Sequence, residues 1–160
     1  MNKTVEQVLQ RVTEDTFENL AFVFPVDEAQ PSSAAAGPAV TAAVSFSGPN
    51  TGTLFLSVPA NMVSLLVTNM LGLDGEDPSG EQLTDGVKEM LNVICGNLLP
   101  AIAGKTAVFN VHPPRLITPD NIPARLDDAE PVANIALNLD AGSVQLRLFI
   151  SAAALNPKFA

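Results

Sequence analysis

Two long segments of this chain repeat their apolar positions every three to four residues, and between them the pattern alternates or breaks. In residues 4–22, "TVEQVLQRVTEDTFENLAF", the side chains of Val5, Val8, Leu9, Val12, Thr16 and Leu20 fall near helical spacing, with polar residues between. A stretch of small residues and proline follows, and residues 28–38 are expected to form a flexible loop. "AVTAAVSFSG" and "TGTLFLSVP" then read as two strands joined at "GPN". Pro59 opens a short helix that Gly72 closes. Residues 73–82 read as a polar link; the acids there do not follow the spacing of an EF-hand loop, and Pro78 interrupts them.

A second long helix is expected from an N-cap at Thr84 to at least Leu99, with Pro100 kinking or ending it and Gly104 as the latest stop. "KTAVFNVHPPRLIT" reads as a strand bent or ended by Pro113 and Pro114. "VANIALNLD" and "SVQLRLFIS", separated by "AG", form the clearest hairpin: Val144, Leu146, Leu148 and Ile150 alternate with Gln145, Arg147 and Phe149. A helix followed by paired strands thus occurs twice. The expected fold is α+β: a single domain over residues 1–160 with an internal pseudo-duplication, its two long helices packed on a largely antiparallel β-sheet.

The second long helix carries the candidate chemistry. At about 100° per residue, Val87, Leu91, Ile94 and Leu98 share one side, and Asp85, Glu89, Asn92 and Gly96 lie within roughly 60° of one another on the other. A glycine inside a helix costs about 1 kcal/mol relative to alanine, so Gly96 suggests that another surface approaches closely there. A carboxamide both donates and accepts hydrogen bonds and bears no charge to repel phosphate, whereas a carboxylate suits a cation. Asn97 turns to the flank, where a structural hydrogen bond is expected. Cys95 borders the apolar side and reads as an inert core thiol. His112 reads as a loop or strand-end residue, because no nucleophile is placed beside it.

The pattern E-x-x-N-x-I-x-G-N at Glu89–Asn97, with this order of helices and strands around it, resembles the CheX branch of the CheC, CheX and FliY group of chemotaxis phosphatases. Asp85 matches the acid or serine that CheC-type members carry four residues before the glutamate. The first helix offers only "EDTF" and "ENLA", with Phe17 or Ala21 where asparagine is needed, so the single site resembles CheX rather than CheC. The resemblance implies removal of phosphate from the aspartyl phosphate of a CheY-like response regulator. Asn92 would position the attacking water, Glu89 would pair with the regulator's lysine, and Asp85, Lys88 and Gly96 would contact the partner. It also implies a homodimer formed through the sheets, for which "VQLRLFIS" is a compatible edge, and Mg²⁺ on the partner rather than on this chain. The alternatives are a non-catalytic regulator-binding module and a structural protein related to the flagellar switch.

Composition narrows the partners. The net charge is −9 with only eight lysines and arginines, which disfavours nucleic acid and acidic membrane surfaces. One cysteine and one histidine provide no zinc-type metal site. The opening stretch lacks the apolar core of a signal peptide and no run approaches a membrane span, so a cytoplasmic location is expected.

Overall fold

The hairpin segments build one six-stranded antiparallel sheet in a computed structural model that describes residues 2–26, 38–118, 121–126 and 129–151. The elements run α1 (Lys3–Ala21), β1 (Ala39–Ser47), β2 (Gly52–Pro59), α2 (Ala60–Leu71), α3 (Gly80–Ala103), β3 (Asn110–Val111), β4 (Arg115–Leu116), β5 (Ala129–Leu139) and β6 (Gly142–Ser151). The expected loop at 28–38 lies outside the described residues except for Pro38, as do Asp127 and Asp128.

The strand order is β3-β1-β2-β6-β5, with β4 also on β1. At its centre β2 pairs with β6, setting Leu54 opposite Leu148 and Leu56 opposite Leu146. These residues and Ala42, Val44, Val132, Leu137 and Val144 face the helices and form the main core. At the ends of that central pair β1 flanks β2 and β5 flanks β6, so the two halves meet about a pseudo-two-fold axis. The helices obey the same relation. Laying α1 on α3 so that Leu9, Val12, Thr13, Thr16, Phe17 and Ala21 fall on Val87, Met90, Leu91, Ile94, Cys95 and Leu99 matches buried position to buried position. Each such apolar side chain, taken fully out of water, stabilises by about 1.5–3 kcal/mol.

The far face of the sheet is only partly wet. Phe149 alternates away from the main core as expected, yet it is buried, because the described residues 117–118 and 121–126 pack over it. Phe149 meets Phe55 edge to face at 5.8 Å, and Arg147 Nη1 donates to the Pro123 carbonyl at 2.9 Å. The covering segment supplies Ile117, Ile122 and Leu126 to this second, smaller cluster.

Three sequence expectations change. α3 begins at Gly80, not after Thr84, because Ser79 and Gln82 form a reciprocal capping box, with Gln82 N–H donating to Ser79 Oγ at 3.1 Å and Ser79 N–H to Gln82 Oε1 at 2.9 Å. The link at 73–82 is correspondingly shorter. The strand expected over residues 105–118 survives only as β3 and β4, on either side of His112, Pro113 and Pro114, since two prolines supply no N–H to the β1 ladder. Finally, "VQLRLFIS" is no edge: β6 lies between β2 and β5. The edge is β5, and it is already occupied. Asn2 N–H donates to the Val132 carbonyl, Glu6 Oε2 accepts from Asn134 N–H, and residues 24–26 pair with 138–140.

α2 reaches α3 at Gly86, where an added Cβ would fall on Val67 Cγ2. Val67 is buried and β-branched, so it has little freedom to yield. Gly86→Ala is therefore expected to destabilise the protein by about 1–3 kcal/mol, read as a lower urea midpoint with an unchanged slope.

Candidate functional site

α3 is half core and half surface. Val87, Met90, Leu91, Ile94, Cys95, Leu98 and Leu99 are buried, while Asp85, Glu89, Asn92 and Gly96 are exposed on the opposite side. The four expected stripe residues therefore do come together on one surface. Glu89 and Asn92, three residues apart on a continuous helix, place their Cβ atoms about 5–6 Å from each other. Lys88 is half-buried on the flank of the stripe nearer Asn92 than Glu89.

Neither side chain is committed elsewhere. Among the described residues Glu89, Asp85 and Lys88 make no ion pair and the Asn92 carboxamide makes no hydrogen bond. A carboxylate and a carboxamide are thus held in register by the helix backbone with no side-chain partner among the described residues. Gly96 adds room: a Cβ built there meets nothing within 4 Å. Pro100 lies inside α3, which nonetheless continues to Ala103 and closes with Gly104 N–H on the Pro100 carbonyl at 2.9 Å. Pro100 offers no N–H to the Gly96 carbonyl.

The other singled-out residues separate from the stripe. Cys95 is sealed in the core, where desolvation raises its thiol from 9.0 to about 12, so it stays protonated and inert at neutral pH. His112 is exposed at the strand break, its backbone N–H donating to the Ser45 carbonyl at 2.9 Å. Asn97 departs from expectation. It is exposed, and among the described residues its side chain makes no hydrogen bond. It lines an open groove of about 370 Å³ between α1 and α3, with Val93 on its own helix and Val12, Asp15, Asn19 and Leu20 opposite.

Asp15 and Asn19 were not singled out in the sequence. A signal was present: "NL" at Asn19–Leu20 repeats "NL" at Asn97–Leu98, and the matched burial of α1 and α3 superposes the two pairs. In that register Arg11, Glu14 and Glu18 stand where α3 has Glu89, Asn92 and Gly96. The first half therefore lacks the stripe, and the residues replacing it are Arg11 and Glu14 rather than Phe17 or Ala21.

No group of three or more His, Cys, Asp or Glu side chains among the described residues is arranged to hold a metal ion, and no helix there is long and apolar enough to cross a membrane. Fold and stripe together define a class: a pseudo-symmetric α+β domain presenting an uncommitted carboxylate–carboxamide pair on a surface helix. The chain belongs to the CheX family of chemotaxis phosphatases, whose family model matches residues 40–138 and so includes the whole stripe. Among curated proteins no sequence matches it. Solved structures share the fold across nearly the full chain. The chemotaxis protein CheX from Desulfovibrio desulfuricans is 18% identical with a TM-score of 0.73, over 92% of this chain and 99% of that one. A CheC-like superfamily protein from Shewanella sp. PV-4 is 18% identical with a TM-score of 0.70, over 95% and 100%. The CheX–CheY–BeF3–Mg²⁺ complex from Borrelia burgdorferi gives 16% identity and a TM-score of 0.66, over 91% and 96%.

An exposed helix-interior glycine with open space around it has no packing reason to be glycine. Gly96→Ala is expected to raise stability by about 0.5–1 kcal/mol, measured as a shift in the urea midpoint.

Proposed function

We propose that this chain hydrolyses the aspartyl phosphate of a CheY-like response regulator, inserting Asn92 and Glu89 into the regulator's phosphorylation pocket. The observation that carries this reading is the uncommitted pair itself, on a chain of a phosphatase family. Hydrolysis needs a water in line with the phosphorus and little covalent help from the protein, so positioning is the main contribution. The Asn92 carboxamide accepts a hydrogen bond from that water and donates one to a phosphoryl oxygen without adding negative charge. Glu89 repels phosphate and is suited instead to the ammonium of a lysine in the regulator's pocket. Water attacks phosphorus, the P–O bond to the aspartyl oxygen breaks, and the carboxylate and inorganic phosphate leave.

Mg²⁺ belongs on the regulator in this scheme; the Borrelia burgdorferi relative was crystallised with CheY, BeF3 and Mg²⁺. Asp85 and Lys88 would border the contact, and Gly96 would let the partner's backbone approach. The setting would be the cytoplasm, where such regulators act.

Phosphate release from CheY-type regulators charged with acetyl phosphate tests the reading. Asn92→Ala should lower the stimulated rate by about 10²-fold or more with circular dichroism unchanged, and Glu89→Ala should weaken both binding and rate. Full activity in both variants would reject the site. Binding without turnover in the wild-type protein would point to a non-catalytic module, and neither binding nor turnover to a structural protein of the flagellar-switch kind.

The homodimer is a further proposal. With β5 occupied and β6 internal, the remaining sheet end is the β3–β4 side, where Val108 is 81% and Leu116 38% exposed. A second copy pairing there would cover both. Sedimentation equilibrium should give a dimer that Leu116→Lys weakens; a wild-type monomer at tens of micromolar would remove the proposal.

A further inference from the structure

Asn97 lies outside the stripe, yet it is as free as Asn92. The groove it shares with α1 borders the stripe on the Glu89 side, because Val93 lies one turn after Glu89 and Asn97 one turn after Val93. Its polar lining accepts hydrogen bonds. Asp15 contributes a carboxylate, Asn19 and Asn97 contribute carboxamides whose oxygens can accept, and the Thr16 hydroxyl has spent its proton on the Val12 carbonyl at 2.8 Å. Among the described residues no lysine or arginine lines it. Arg11, one turn before Asp15, is exposed and makes no ion pair with it among the described residues. Val12, Leu20 and Val93 supply an apolar wall for a methylene chain.

The surrounding charge favours the same occupant. Along α1 and α3 the acids Glu6, Glu14, Asp15, Glu18, Glu81, Asp85 and Glu89 outnumber Lys3, Arg11 and Lys88. A phosphorylated partner is repelled by such a surface unless the rim of its pocket is cationic. We propose that the α1–α3 groove receives a lysine or arginine side chain from the regulator's surface beside its phosphorylation pocket, held by Asp15, Asn19 and Asn97. This contact is separate from the one made by Glu89, and it rests on the reading that a CheY-like regulator docks on α3. It selects the partner and its orientation, and takes no part in the hydrolysis.

Two measurements on the full chain test it. Asp15→Lys should raise the half-saturating concentration of the phosphorylated regulator about tenfold at low salt, with kcat within twofold and the effect shrinking as ionic strength rises. Asn97→Ala should act in the same direction but less. An unchanged half-saturating concentration in Asp15→Lys, or a fall in kcat alone, overturns the proposal. The second measurement is ¹⁵N NMR titration of the labelled protein with regulator charged with beryllofluoride. Shifts in the side-chain amides of Asn92, Asn97 and Asn19 together support it. Shifts at Asn92 with Asn97 and Asn19 silent overturn the groove contact and leave the phosphatase reading standing. Shifts at the groove without Asn92 support the contact and contradict the catalytic assignment. Silence at all three overturns both.

Discussion

One side of α3 must leave water, and that requirement organises the rest of the molecule. Seven of its side chains enter the core against the sheet and the other helices, which fixes the helix in rotation as well as position. A helix that cannot rotate presents the same opposite side permanently. Glu89 and Asn92 are therefore held by burial energy acting on their neighbours, not by bonds of their own. This is how side chains with no partner among the described residues can still be well placed: the order lies in the backbone beneath them.

The sheet supplies the platform through its central β2–β6 ladder, where the two halves of the chain meet. Across that seam α1 packs beside β5 and α3 beside β1, so each long helix rests chiefly on the flanking strand of the other half. Neither half has a complete core alone. The interlock explains why one sheet carries all the strands and why the groove between α1 and α3 falls near the pseudo-axis.

Much of this was legible because periodicity reports burial directly. The Val87–Leu98 spacing placed α3, and the alternation from Val144 to Ile150 placed β6. Asp85, Glu89, Asn92 and Gly96 were correctly brought onto one exposed surface for the same reason. What the pattern could not carry was partnership. Local alternation in β6 does not say which strands lie beside it, so an internal strand was read as an edge. The alternation put Phe149 on the face away from the main core but could not show that face covered, because the residues that pack on it follow no period. The start of α3 was placed at Thr84 because the reciprocal Ser79–Gln82 bonds that set it at Gly80 leave no mark in the apolar period. The groove was missed because its two walls are distant in sequence, and only the matched burial of α1 and α3 brings Asn19 and Asn97 into correspondence.

Internal near-symmetry carries a hazard: a visitor able to settle on one long helix has a similar helix to settle on half a turn away. Here the imitation is broken by sign and by bulk. Where α3 has the carboxylate of Glu89, α1 has the guanidinium of Arg11, and where α3 has the bare backbone of Gly96, α1 has Glu18. A guest that tried the wrong half would meet like charge and an obstruction at once. The duplicated architecture therefore does not duplicate the surface: the two long helices share their buried sides and differ on their exposed ones.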